Sequence, residues 1–248
     1  MARGAVVTGG SGKIGRAICL ALAAEGADIV VHYYRGVAEA TAVVAAVEAF
    51  GQRAWAIPAD LQQATAVTGL VAAAWERLGG VDIWINNAGV DVVSPPLRHL
   101  PELERLDLLW AVDTRATVLA CWEVGRRMTA AGGGVIVNIG WDKALLSGMS
   151  GRTAELFAVA KGGVMAFTKS IARSLAPAVR VNCIAPGWIQ TEWGETASAP
   201  WQERVLAETP LARWGQPEDI AATAAFLCSE RAAFLTGQII NVNGGVVS

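Results

Sequence analysis

Apolar positions along this chain follow two alternating rhythms. Short runs at 5–8, 28–32, 53–57, 81–85, 135–139, 179–184 and 238–242 are predominantly apolar and mostly rich in Val and Ile, as expected of strands buried on both faces. Between them, stretches 14–24, 37–50, 65–78, 103–131, 153–175 and 217–228 repeat their apolar positions every three to four residues, which predicts amphipathic helices. Gly79-Gly80 and Gly132-Gly133-Gly134 mark the ends of two of these helices. Residues 187–215 hold four tryptophans and no sustained period, so a loop with short helices is expected there.

Strands alternating with helices need long crossovers, and such crossovers build parallel sheets. The expected fold is therefore α/β: a Rossmann-type, doubly wound, seven-stranded parallel sheet flanked by helices on both faces. One domain over residues 1–248 suits the length, because a chain with 53% hydrophobic residues buries one substantial core. Ligands of such sheets bind beyond the carboxyl ends of the strands. The loops that follow strands are where chemistry is sought.

Composition narrows the partners. No apolar run approaches the roughly 18 residues of a membrane span, and the N-terminus enters a strand without a cationic signal, so a cytoplasmic protein is expected. With 20 basic and 22 acidic residues and no Lys/Arg stripe, a nucleic-acid partner is not expected. Cys19, Cys121, Cys183 and Cys228 lie far apart in apolar surroundings without metal-ligand spacing, and read as buried thiols rather than a metal site.

The first candidate chemistry is Thr8-Gly9-Gly10-Ser11-Gly12-Lys13-Ile14-Gly15, which joins the first strand to the first helix. Glycines there allow a tight turn and let a pyrophosphate reach amides at a helix N-terminus. Selectivity for the adenosine ribose is set some 20 residues later: a carboxylate suits a free 2′-hydroxyl, an arginine a 2′-phosphate. The chain reads His32-Tyr33-Tyr34-Arg35. With no carboxylate in that stretch, and with Arg35 and Lys13 supplying positive charge, NADP(H) is favoured over NAD(H).

Further motifs stand in order along the chain: Asp60-Leu61, Asn86-Asn87-Ala88-Gly89, Asn182 to Pro186-Gly187 followed by Thr191, Pro210 to Asp219, Thr236-Gly237-Gln238 and Asn243-Gly244-Gly245. With the glycine turn, they make the chain resemble the short-chain dehydrogenase/reductase family from end to end. The stretch from His32 to Glu39, with Lys13, is most similar to the NADPH-using pteridine reductase branch. The resemblance implies that Asp60 contacts adenine, that Asn87, Ala88 and Gly89 flank the adenosine and ribose, and that Ile189 and Thr191 hold the nicotinamide carboxamide. It also implies a homotetramer or homodimer built on the long helices at 103–131 and 153–175.

The family reduces carbonyls with a tyrosine proton donor, a lysine, a serine and an asparagine. Its YxxxK motif falls on Phe157-Ala158-Val159-Ala160-Lys161, its serine on Trp141 and its asparagine on Asp113. Only Lys161 is kept, so the usual proton relay has no tyrosine, serine or asparagine here. Asp142 is the first candidate for a replacement acid, ahead of Lys143, Asp91 and Glu155, and Ser147 or Ser150 could be a displaced serine. Asp113 and Lys161 can pair directly, which would keep the lysine charged. Trp141, Trp188, Trp193 and Trp201 are expected around the substrate cleft and suit a hydrophobic or aromatic small molecule. Three functions stay open: an NADP(H)-dependent oxidoreductase with an unusual proton source, a non-redox enzyme such as a cyclase, dehydratase or isomerase, and a silent dinucleotide-binding protein.

Overall fold

A computed structural model describes residues 3–247. Its seven strands, β1 (Gly4–Val7), β2 (Asp28–Tyr33), β3 (Ala54–Pro58), β4 (Ile83–Asn86), β5 (Gly134–Ile139), β6 (Val179–Pro186) and β7 (Ile239–Val242), pair in parallel in the order β3-β2-β1-β4-β5-β6-β7. Because side chains alternate across a strand, each strand feeds two cores. Val7, Ile29, Ile85 and Val137 pack against α1 (Lys13–Ala24), α2 (Val37–Glu48) and α9 (Pro217–Cys228). Val6, Val30, Trp84 and Ile136 pack on the other face against α3 (Ala64–Leu78), α5 (Ala116–Ala131) and α6 (Arg152–Leu175). The expected doubly wound sheet is present, and its direction of winding reverses between β1 and β4, where a crevice opens.

The helical pattern at 103–131 is not one α-helix. It comprises α4 (Glu102–Leu109), a π-helical turn from Trp110 to Arg115, and α5. The wider turn frees the Asp113 carbonyl, which accepts from Thr117 Oγ1 at 2.8 Å, and lets Thr114 Oγ1 donate to Ala160 O at 3.1 Å on α6. Such π turns recur at functional sites, and this one carries Asp113.

A buried polar chain fixes α6 laterally. Trp84 Nε1 donates to Asn86 Oδ1 at 2.7 Å, Asn86 Nδ2 to Asn138 Oδ1 at 2.8 Å, and Asn138 Nδ2 to Thr168 Oγ1 at 2.9 Å. Buried amides are costly unless matched, so β4, β5 and α6 are locked in one register. That register presents Phe157 and Lys161 to the crevice.

The loop after β6 contains α7 (Glu192–Thr196) and α8 (Ala199–Glu208). At its far end, Arg213 makes a two-pronged ion pair with Asp219 at 2.7 and 2.9 Å, and Asp219 also accepts from Gln216 N at 2.7 Å at the start of α9. All four cysteines are buried and unpaired, and burial pushes the thiols of Cys121, Cys183 and Cys228 up to about 12. They are protonated at neutral pH. Among the described residues no helix is long and apolar enough to cross a membrane.

Candidate cofactor and active site

The glycine turn is held open from below. Gly9 has φ +63°, and a side chain there would press on Ala88 Cα at 2.9 Å; one at Gly15 would collide with the Gly9 carbonyl. The Gly9 amide donates to His32 Nδ1 at 3.0 Å, and His32 Nε2 donates to Ala59 O at 3.1 Å. Burial pushes the His32 imidazole down to about 4, so it stays neutral and keeps Nδ1 as an acceptor. Sequence patterning counts His32 only as a position lacking a carboxylate. Its bracing role needs the spatial neighbours Gly9 and Ala59 to be seen.

Thr8 is a correction to the predicted cofactor set. Its Oγ1 donates to Ile85 O at 3.2 Å and accepts from the amides of Asn87 and Ala88 at 2.9 and 3.0 Å, while Asn87 Nδ2 donates to Thr8 O at 2.9 Å. Its buried hydroxyl is fully used in tying β1 to the loop after β4, and it does not line the cleft. The other predicted cofactor residues all line one cleft of about 1000 Å³.

At one end of the cleft Arg35 lies 4.7 Å over the Tyr34 ring and donates from Nη2 to the Tyr34 hydroxyl at 3.2 Å. The sequence places Lys13 beside Arg35 as a second phosphate charge; in the structure its ammonium pairs with Glu195 of α7 instead, spanning the cleft mouth. The Asp60 carboxylate accepts from Gln62 N at 3.0 Å. Along the other wall, Gly215 N donates to Trp188 O at 2.9 Å and Gln190 N to Gly215 O at 2.9 Å, which pins the Ile189 segment in place.

At the inner end Lys161 Nζ lies 2.9 Å from Asp113 Oδ2 and donates to Ile139 O at 3.3 Å. Asp113 Oδ1 accepts from Val90 N at 2.9 Å. The expected direct pair between these residues is therefore present, and both partners are buried. Beside them Trp141 and Phe157 meet edge to face with ring centroids 6.3 Å apart.

Asp142 does not reach this centre. The short 3-10 turn Asp142–Ala144 points it into the interior, where its carboxylate accepts from Asn243 Nδ2 at 3.2 Å, and it is absent from the cleft wall. Burial raises its carboxyl above the usual range, but it does not line the cleft. Lys143 is committed to Glu208 at 3.3 Å, and Glu155 to Arg152 at 2.8 Å. Of the proposed acids, Asp91 alone lines the cleft, where its Oδ1 accepts from the amides of Val93 and Ser94. Ser147 and Ser150 are exposed and off the wall.

The loop tryptophans form a cluster. Trp188 and Trp193 each lie 5.5 Å from Trp201, and Trp193 lies 6.0 Å from Trp214. Trp188 Nε1 donates to Glu208 Oε2 at 3.1 Å. No spacing in the sequence announces Glu208, and the Asn243-Gly244-Gly245 motif gives no sign that Asn243 would hold Asp142; both contacts come through the return of the chain.

The family model described as enoyl-(acyl carrier protein) reductase matches residues 10–247. The 3-oxoacyl-acyl-carrier-protein reductase of Synechocystis is 38% identical over 246 residues, covering 98% of this chain and 96% of that protein. Among solved structures, a short-chain dehydrogenase from Burkholderia cenocepacia in complex with NADP superposes with a TM-score of 0.89 at 33% identity, covering 98% and 97% of the two chains. A blue fluorescent protein from a metagenomic library in complex with NADPH gives 0.89 at 35% identity, covering 99% and 98%. Fold, ordered motifs and relatives over nearly the full length agree: the chain belongs to the short-chain dehydrogenase/reductase family of oxidoreductases.

Proposed function

We propose that this protein is an NADP(H)-dependent oxidoreductase acting on a hydrophobic or aromatic small molecule without the tyrosine-centred proton relay. The observation that carries the reading is the single cleft running from the glycine turn, past Arg35, to Lys161 and the tryptophans. The residues fit the dinucleotide: side chains at Gly9 or Gly15 would collide with the backbone that shapes the turn, whereas a Cβ at Gly12 would meet only the Gly9 carbonyl, at 3.6 Å, so the space before α1 is open. Two structural relatives hold NADP or NADPH.

When bound, the reduced nicotinamide supplies a hydride. The amides at the start of α1 would hold the pyrophosphate, and Arg35 the 2′-phosphate. Lys161, oriented by Asp113, would hold the nicotinamide ribose, with Ile189 and Thr191 at the carboxamide. Trp141 and Phe157 put apolar surface where hydroxyls would stand, and so exclude water. The same aromatic pair favours the competing non-redox use of the cleft. Absorbance at the reduced-nicotinamide band during turnover separates the two, since only the oxidoreductase consumes NADPH in step with product.

NADPH is expected to bind more tightly than NADH. Arg35→Ala should weaken NADPH about tenfold, the loss of roughly one exposed charge-assisted contact, and leave NADH nearly unchanged. Equal affinity of the wild type for both nucleotides in a fluorescence titration would sink the assignment.

Self-association through α4, α5 and α6 is the companion proposal, supported by exposed Leu103, Trp110, Trp122 and Val159. Sedimentation at micromolar concentration should show a dimer or tetramer; a lone 25.9 kDa species counts against it.

A further inference from the structure

A neutral carbonyl that accepts a hydride becomes an alkoxide, and a donor must meet that oxygen. The inner end of the cleft offers little. Phe157 and Trp141 present ring surface, and the Thr153 hydroxyl, which accepts from Arg105 Nη1 at 3.0 Å, keeps its own proton but is no stronger an acid than the alcohol that would form. Two of the ammonium contacts of Lys161 are taken by Asp113 at 2.9 Å and Ile139 O at 3.3 Å. An electrophile that already carries positive charge needs none of this.

The charges around the inner half of the cleft point the same way. The positive charge of Lys161 is cancelled by Asp113 and that of Lys13 by Glu195, and the remaining ionisable groups there, Asp91 and Glu192, are both acidic. Tryptophan faces attract cations more strongly than other aromatic side chains. Two tryptophans of the cluster already do so within the chain: Lys143 Nζ lies 5.2 Å over Trp188, and Arg204 lies 4.7 Å over Trp201. Trp141, Trp193 and Phe157 carry no such cation among the described residues and line the cleft.

We infer that the substrate class is an iminium ion or the amine formed from it, accommodated by Trp141, Phe157 and Trp193 beside the neutralised Lys161–Asp113 pair. The inference rests on the oxidoreductase reading above. Hydride adds to carbon, a C–H bond forms, and the C=N π pair moves onto nitrogen as a lone pair. The product is a neutral amine, the reduced nicotinamide is the two-electron reductant, and no proton enters. The reverse reaction removes hydride from the carbon next to an amine nitrogen.

The test uses the full-length protein with NADPH and two bicyclic probes of similar shape: N-methyl-3,4-dihydroisoquinolinium, a permanent cation, and the ketone 1-tetralone. The cation should be reduced with a kcat/KM about a hundredfold above the ketone's, with no solvent deuterium isotope effect and no dependence on pH from about 6 to about 9. Tryptophan fluorescence without nucleotide should show the cation binding about tenfold more tightly than the ketone, and Trp193→Leu should erase most of that difference. Reduction of the ketone alone, or at an equal rate, overturns the inference and leaves the oxidoreductase reading standing. No reduction of either probe by protein that binds NADPH overturns both.

Discussion

Lys161→Met is expected to lower stability by about 3–5 kcal/mol, because it strands a carboxylate in the interior. The Asp113 side chain is only 1% exposed and that of Lys161 11%, so the carboxylate loses its partner with little solvation to replace it. Asp113 would keep only its bond from Val90 N. For a chain of this size the loss corresponds to a fall in Tm of roughly 6–20 °C. Lys161→Met combined with Asp113→Asn should recover most of it, since the amide removes the charge and its oxygen can still accept from Val90 N. Thermal unfolding of the wild type, both single variants and the double variant closes the cycle. A double variant less stable than both singles would refute the buried-pair account. Nucleotide affinity and turnover should fall together in Lys161→Met. If turnover returns at saturating nucleotide with no net NADPH consumed, the non-redox reading takes over.

The second large effect is a loss of stability in mild acid, and it comes from His32. Its folded-state pKa, about 4, lies below the ordinary imidazole value of about 6.5 because the ring is buried. As pH falls, the unfolded chain takes up the proton first. Stability is therefore fully present above about pH 6.5 and is lost as pH drops towards about 4, by roughly 3 kcal/mol in total. The protonated ring can no longer accept from the Gly9 amide, so the glycine turn should loosen over the same range. Asp219, held low chiefly by its hydrogen bond from Arg213, adds its loss at lower pH, while Asp142, raised by burial, acts in the opposite direction. His32→Asn removes the titration and retains an acceptor. Urea unfolding at about pH 8 and about pH 4.5 should show a steep drop for the wild type and a much shallower one for the variant. Parallel pH dependences would exclude His32 as the cause.

The two rhythms of apolar residues determined the fold. Runs such as Ile29 to Val31 and Ile83 to Ile85 carry apolar side chains to both faces, and only a sheet covered on both sides can bury them. The glycine turn was legible for the same local reason: Gly9 needs a positive φ, and Gly15 has no space for a Cβ. Phe157, Trp141 and Asp113 were singled out only through the family resemblance, and the structure brings all three to the cleft.

Asp142 shows the limit of such reading. Its place just after β5 put it near the crevice in sequence, but whether a side chain enters a cleft or turns away depends on one backbone turn and on what packs behind it. Here Asn243, a hundred residues later, draws Asp142 inward. Lys13 was diverted in the same way by Glu195 on α7, and Thr8 by the amides after β4. The helical pattern at 103–131 concealed the π turn, since one widened turn barely disturbs the apolar period but changes which way Asp113 faces. The sequence by itself determined the layers, the order of the motifs and the residue types at the reacting end. Only the tertiary structure decided which charges are free and which are already paired, because pairing depends on distances between segments far apart in the chain, and periodicity carries no record of those distances.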